Sequence, residues 1–210
     1  VSIIPVFWIG QYLHPFSDDY VFGAETYKIW NATHSISACI QGAWNVAVNM
    51  YHIWQGTYSA CFLMALKPGA FGAYWIVPIL LASSLIMSTY ALLYLIMRKL
   101  LHTTRTEFLL VSSVFALINL QFVDSAYDAF YWYNGAMYYT LYFSMSLCLA
   151  SLLIAYHLSG KIQKCFVGIL AVLLTIFIAG GNFVSGFGTA AILFIAIAIT
   201  YLAKKKLPKF

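Results

Sequence analysis

Two adjacent carboxylates, Asp18 and Asp19, stand in the stretch HPFSDDYVFG of a 210-residue chain that holds only six acidic residues. One carboxylate of such a pair can act as a general base on an acceptor hydroxyl. Alternatively, the pair can help to hold a divalent cation, Mg²⁺ or Mn²⁺, if the chain supplies further oxygen ligands. A structural alternative is that Ser17 or Asp18 caps a helix through DYVFGAETYKIW, where acidic residues suit the N-terminus.

A second polar group lies in DSAYDAFYWYNGAMYY, residues 124–139. Asp124 and Asp128 are four residues apart and share one face if this stretch is helical. Aromatic rings can stack on the C–H faces of a sugar, while carboxylate and amide groups bind its hydroxyls. The other interpretation is an aromatic belt at a membrane interface. The side chains that carry either role are Asp124, Asp128, Tyr131, Trp132 and Asn134.

Three isolated residues complete the candidate substrate-binding set: His52, Asn182 and Lys28. His52 belongs to a polar stripe, and the sequence has no HxxxH or HExxH spacing that would indicate zinc. Asn182 lies in AGGNFVSGFG, which predicts a tight hairpin and leaves Asn182 available to line the same cavity. A lysine on this side of the chain can pair with a phosphate or extend towards water. Both roles stay open for Lys28, whereas we expect Lys67 only to extend towards water.

The composition predicts that these residues sit in an all-α polytopic membrane protein. The chain is 63% hydrophobic and 8% charged, with a mean hydropathy of +0.84, whereas soluble domains carry about 25% charged residues. We expect five spans and the end of a partial first span, hence about five or six transmembrane helices, in a chain that is a fragment or module of a longer protein, with signal-peptide cleavage as the alternative. The stub is 1–12, and the spans are 72–97, 107–123, 136–158, 165–180 and 184–203.

The charge distribution predicts the orientation of a single transmembrane domain, 1–210, in the cytoplasmic membrane. The connections 98–105 and 159–164 and the tail 204–210 hold nine of the eleven Lys and Arg residues, which predicts that they face the cytoplasm. The outer loop 13–71 and the connections 124–135 and 181–183 then hold five of the six acids. Because the basic residues follow this rule, the net charge of +5 does not call for a nucleic-acid partner.

The outer loop 13–71 contains a helical pattern, QGAWNVAVNMYHIWQGTYS. Its polar residues recur every three or four positions, which predicts an amphipathic or re-entrant helix along the outer face of the membrane. The stretch KPGAFG, 67–72, then turns the chain into the first full span. The stripe consists of Gln41, Asn45, Asn49, His52, Gln55 and Ser59.

This arrangement resembles the GT-C superfamily of membrane glycosyltransferases, in which a carboxylate lies in the first outer loop after the first span. The resemblance rests on PFSDDY and the in-plane helix that follows it. The pieces WQGTYSACFLMALKPGAFG, YWYNGAMYYT and AGGNF look like a bacterial branch that includes glucosyltransferases of surface polysaccharides. Thr57 stands where that branch is expected to carry an arginine, so no arginine contact to phosphate is expected there.

The resemblance implies an enzyme that moves a sugar from a polyprenyl-phosphate donor to a glycan or lipid-linked acceptor on the extracytoplasmic side. Asp18 or Asp19 would then be the base or a metal ligand, in contact with membrane lipids around the site. Two alternatives remain open: a transporter or flippase for a polar or lipid-linked solute, and a non-catalytic membrane subunit. We expect Asp18→Asn and Asp19→Asn each to leave folding intact while at least one abolishes sugar transfer.

Overall fold

The computed structural model describes the backbone of residues 4–206 and the side chains of residues 4–202; residues 1–3 and 207–210, which belong to the expected first span and basic tail, lie outside the described residues. The described part is all-α, as the sequence predicts, and contains no strand. Its helices are α1 Ile4–Gly10, α2 Asp19–Thr33, α3 Ile36–Ile53, α4 Tyr58–Ala65, α5 Tyr74–Leu100, α6 Arg105–Gln121, α7 Tyr133–Leu158, α8 Lys161–Ala179 and α9 Phe183–Lys206.

Four of these helices, α5, α7, α8 and α9, are long and apolar enough to cross a membrane. They coincide with four of the expected spans. The fifth, α6, has 17 residues and is therefore about 25 Å long, shorter than a typical hydrocarbon core of about 30 Å. A count of five or six spans, the in-plane position of a helix and the side of the membrane that each loop faces stay predictions.

The segment 13–71 folds into three helices, α2, α3 and α4, and a 3₁₀ turn at Pro68–Phe71. The helix expected through DYVFGAETYKIW is confirmed as α2. The polar stripe is only partly helical, because α3 ends at Ile53 and a new helix begins at Tyr58, after Gly56. Gln55 and Ser59 therefore lie outside α3, and the expectation of one continuous helix was wrong at this end.

One hydrophobic core joins the helices of segment 13–71 to the long helices. Leu81 and Leu85 of α5 pack with Met137 and Tyr142 of α7 and with Cys61 of α4. Polar bonds strengthen the same junction. Tyr142 Oη lies 2.7 Å from Ser59 Oγ, which donates to the carbonyl of Phe177 in α8 at 2.6 Å. The short helix α4 is thereby fixed to α7 and α8 together.

The connections between the long helices show why each helix begins where it does. Thr104 and Glu107 form a reciprocal capping box at the start of α6. The hairpin between α8 and α9 lies at Gly180–Asn182, as the sequence predicts. A Cβ on Gly181 would lie 2.2 Å from the ring of Tyr142, so a residue without a side chain is required at that close approach.

Candidate functional site

Asp19 is the centre of the site and is fully buried. Its Oδ2 accepts hydrogen bonds from the Tyr74 hydroxyl at 2.5 Å and from the Phe16 amide at 3.1 Å. Its Oδ1 accepts from the Asn134 amide at 3.2 Å, and the Lys67 ammonium lies 3.9 Å from the same oxygen. Three hydrogen-bond donors and one ammonium group therefore surround this carboxylate.

The carboxylate of Asp19 closes the beginning of α7. Asn134 is the second residue of that helix, and its amide has no carbonyl partner within the helix because it belongs to the first turn. Asp19 accepts a hydrogen bond from that amide, and the Tyr74 hydroxyl accepts one from the neighbouring backbone amide of Tyr133 at 2.9 Å. A negative charge at a helix N-terminus is also favoured by the helix dipole. Asp19 thus ties α2 to α7.

Asp18 differs from Asp19 in its surroundings. It is half-buried, and its Oδ1 accepts a hydrogen bond from the indole Nε1 of Trp132 at 3.2 Å. Its side chain does not cap α2, so the capping role expected for Asp18 is not observed. The preceding residue, Ser17, has a φ of 51°, a left-handed conformation that few residues other than glycine adopt. This turn presents the two carboxylates to different partners.

Lys67 is the residue whose environment departs most from the sequence-based expectation. Only 3% of Lys67 is exposed, so the expectation that it extends towards water was wrong. It precedes Pro68, which favours the extended backbone observed at Lys67, with φ −77° and ψ 153°. Burial lowers its pKa to about 8, and the charges of Asp19 and Asp18 partly oppose that shift. Its Nζ has no hydrogen-bond partner among the described residues.

The second expected group, 124–139, is brought to the acid pair only in part. Trp132 and Asn134 contact the two aspartates, and the carbonyl of Tyr131 accepts from Tyr74 Oη at 3.3 Å. Asp124 and Asp128 are both exposed.

These two acids do not share a helical face, because a helical turn begins only at Tyr127, after Asp124, so the condition of that expectation is not met. Burial raises the pKa of Tyr127, and the charges of Asp19 and Asp128 raise it further, which puts both acids near this ring.

The three isolated candidates lie in different places. Lys28 is exposed and lines the same cavity as Asp19 and Lys67. His52 is exposed in the last turn of α3, in a separate aromatic cleft with Trp44 and Tyr51.

Asn182 is buried, and both polar atoms of its side-chain amide already have hydrogen-bond partners in the chain. Its Oδ1 accepts from the Ser185 amide at 2.7 Å, and its Nδ2 donates to the carbonyl of Tyr138. It caps α9 rather than lining the cavity beside Asp19.

The acid pair does not fit a divalent cation. Both oxygens of Asp19 already accept from N–H and O–H groups, and an ammonium lies beside Oδ1. A cation would have to displace these donors and stand next to a positive charge. Across the residues that the structure describes, no three His, Cys, Asp or Glu side chains form a metal-binding cluster.

Two residues of this site, Lys67 and Tyr74, were missed as functional candidates in the sequence. A signal for Lys67 exists in α2: a Cβ on Gly23 would lie 2.1 Å from Lys67 Cε. Glycine inside a helix costs stability relative to alanine, so its presence indicates that another part of the chain approaches closely. No signal in the sequence says which part that is.

Comparison of the chain with protein-family models, with curated proteins and with solved structures finds no match in any of the three. The resemblance to GT-C glycosyltransferases therefore remains a prediction from short motifs.

Proposed function

We propose that this chain is a membrane glycosyltransferase, or the part of one that carries the acid pair. It would take a sugar from a polyprenyl-phosphate donor and transfer it to a glycan or lipid-linked acceptor on the extracytoplasmic side of the membrane. The observation that supports this best is a tertiary contact. Asp18 bonds to Trp132, 114 residues further along the chain, so a carboxylate and an aromatic side chain from distant segments meet at one site.

Asp18 is the better candidate for the general base. Asp19 is enclosed by donors that would have to leave before it could accept a proton. Asp18 is half-buried, with one hydrogen bond from an indole that holds its orientation. In the proposed reaction, the bond between the sugar C1 and the phosphate oxygen breaks while the acceptor oxygen bonds to C1. The acceptor proton moves to Asp18, and polyprenyl phosphate leaves with the bonding electron pair.

A transporter is less well supported. Transport sites commonly place ionisable groups near the middle of the membrane. In the four candidate spans, the Asp, Glu, Lys and Arg residues stand only at the ends: Arg98 and Lys99 in α5, Lys161 and Lys164 in α8, and none between Phe183 and Leu202 or in α7. The acid pair lies outside all four spans.

A non-catalytic membrane subunit has one observation in its favour. The bonds of Asp19 to Phe16, Tyr74 and Asn134 are a sufficient structural reason for a buried carboxylate. That explanation covers Asp19 alone, because the side chain of Asp18 makes no capping bond and its only described hydrogen bond comes from the Trp132 side chain. The two aspartates can therefore be tested separately.

The test compares wild type, Asp18→Asn and Asp18→Glu in lipid vesicles. The donor is a polyprenyl phosphate that carries radiolabelled glucose, and a cell-envelope fraction supplies the acceptor. Loss of a general base costs about 10²- to 10⁴-fold in rate, so transfer by Asp18→Asn is expected to fall by at least 100-fold. Asp18→Glu should retain part of the activity.

The control is Glu25→Gln, which neutralises an exposed acid on α2 and should transfer at the wild-type rate. Wild-type transfer by Asp18→Asn, with equal amounts of folded protein, would remove Asp18 from the mechanism.

A further inference from the structure

A well-formed cavity lies between α2 and the turn that follows α4. Its volume is about 580 Å³, and it is open on one side. Three charged residues line it: Asp19, Lys28 and Lys67. The remaining lining is mostly apolar or aromatic and includes Tyr20, Ala24 and Tyr27. An apolar cavity with a few convergent charged groups is the usual form of a small-molecule site.

Lys67 lines this cavity with an ammonium group that lacks a hydrogen bond. The side chain is 97% buried, and Nζ has no hydrogen-bond partner within the described part of the chain. Asp19 Oδ1, at 3.9 Å, is within ion-pair range but too far for a hydrogen bond. An ammonium has three donors, and buried donors are nearly always satisfied in folded proteins. The exception therefore calls for a partner that is not part of the chain.

The sequence keeps this lysine in place from two sides. Pro68 favours the extended backbone at Lys67, and the missing side chain of Gly23 provides the room for Lys67 Cε and Nζ. A Cβ on Gly23 would lie 2.1 Å from Cε and 2.8 Å from Nζ. Lys67 thus has a built position at the wall of the cavity, unlike a lysine that merely extends along a surface.

The charges of the lining indicate the sign of the ligand. Among the lining residues, Asp19 offsets one of the two lysines, which leaves one net positive charge on the cavity wall; Asp18 lies near Lys67 but does not line the cavity. We infer that this cavity binds the phosphate group of a lipid, with Lys67 Nζ as its buried donor and Lys28 at the exposed side. A phosphate monoanion supplies the oxygen acceptors that Nζ lacks. The walls are mostly apolar, and Asp19 joins them to the first residues of α5 and α7 through Tyr74 and Asn134, so the cavity suits a lipid chain better than a soluble phosphate.

This inference rests on the proposed function for its choice of lipid, and it can fail independently of it. Purified protein in nonionic detergent is titrated with decaprenyl phosphate, with decaprenol, which lacks the phosphate, and with glucose 1-phosphate, which lacks the lipid. Wild type is expected to bind decaprenyl phosphate at least tenfold more tightly than either of the other two. Equal binding of decaprenol would overturn the phosphate contact, and equal binding of glucose 1-phosphate would overturn the lipid.

Two variants address the residue itself. Lys67→Met keeps an unbranched side chain that is one atom shorter and removes its charge, and Gly23→Ala pushes a methyl group against Lys67 Cε. Each should weaken decaprenyl phosphate binding by tenfold or more. Lys161→Met, an exposed lysine at the start of α8, and Gly186→Ala, where a Cβ meets nothing within 4 Å, are the matched controls and should bind as wild type.

The outcome for Asp18→Asn separates the two proposals. It should bind decaprenyl phosphate at least as tightly as wild type, because Asp18 is assigned to the acceptor and its negative charge does not help to hold a phosphate. Wild-type binding by folded Lys67→Met would refute the anion site whatever the transfer assay shows. Loss of binding in that variant, together with the absence of any sugar transfer by wild type, would leave the anion site standing and refute the transferase.

Discussion

Replacement of Lys67 by methionine is expected to stabilise the fold, although it removes one partner of a buried ion pair. Folding lowers the pKa of Lys67 from 10.5 to about 8, which means that the charged side chain pays about 3 kcal/mol for its burial even with Asp19 beside it. The cavity is open to water, which screens part of this cost. We therefore expect Lys67→Met to gain about 1–2 kcal/mol at pH 7.

The opposite outcome is the usual one when a buried pair is broken, because the remaining charge is left uncompensated. Here Asp19 keeps three hydrogen bonds, from Phe16, Tyr74 and Asn134, while Lys67 contributes none. The remaining carboxylate is therefore still satisfied, and the methionine fills the space of the lysine side chain. On these grounds the removal of the ammonium cost outweighs the loss of the ion pair.

The dependence on pH has a definite sign. Because the folded pKa of Lys67 lies below its unfolded value, its charge costs stability in full below about pH 8, and the cost disappears as the pH rises to about 10.5. The advantage of Lys67→Met should therefore be largest below pH 8 and fade above it. The charged groups near Lys67 are Asp18, Asp19 and Lys28, and they are common to both proteins.

The assay is thermal unfolding in detergent across this pH range. A gain of about 1–2 kcal/mol raises the midpoint by about 2–8 °C in a domain of this size. Lys28→Met makes the same chemical change at an exposed position of the same cavity and should change the free energy of unfolding by less than about 0.5 kcal/mol. A lower midpoint for Lys67→Met than for wild type would refute the reasoning and make the lysine a structural counter-ion of Asp19.

Three further outcomes are expected. Asp19→Asn should lose about 2–4 kcal/mol of stability. The asparagine NH₂ group would face other hydrogen-bond donors, and Lys67 would lose the anion beside it. Thermal unfolding in detergent measures this loss, and an unchanged midpoint would contradict it. Thr104→Ala should cost about 1 kcal/mol by removing the capping box of α6, whereas Thr104→Ser should not. Thr103→Cys, in a chain with Cys165→Ser, should react with an impermeant maleimide only from the cytoplasmic side; labelling from outside alone would reverse the topology.

The long helices were predictable because their information is local. Runs of about 20 apolar residues decide α5, α7, α8 and α9 whatever surrounds them. The helix through DYVFGAETYKIW and the Gly-Gly-Asn hairpin were also predictable from local sequence. The end of α3 was not predictable, because the polar residues continue at helical spacing beyond Ile53, whereas the helix ends there.

The site was predictable only as a set of residue types. The sequence singled out Asp18, Asp19, Trp132 and Asn134, and the structure brings these four together. The sequence also suggested that Asp19→Asn folds normally, but the three hydrogen bonds of the Asp19 carboxylate argue against this. The distinction between an enclosed and a half-buried carboxylate depends on contacts 55 to 115 residues away in sequence, and no local pattern contains them.

Lys67 shows the same limit from the other direction. An isolated lysine in a short turn usually extends towards water, and that expectation failed because Gly23 leaves room for it beneath α2. Asn182 differs again: its side chain serves the start of α9 and the carbonyl of Tyr138, roles that depend on how α7 lies beside the hairpin.

The most direct test is a structure of the protein in lipid nanodiscs with a polyprenyl-phosphate glucose analogue bound. We expect a phosphate oxygen within about 3 Å of Lys67 Nζ and the sugar C1 beside the carboxylate of Asp18. Density for the lipid along an outer face of α8 or α9, with Lys67 Nζ still unpaired, would contradict both the donor site and the transferase.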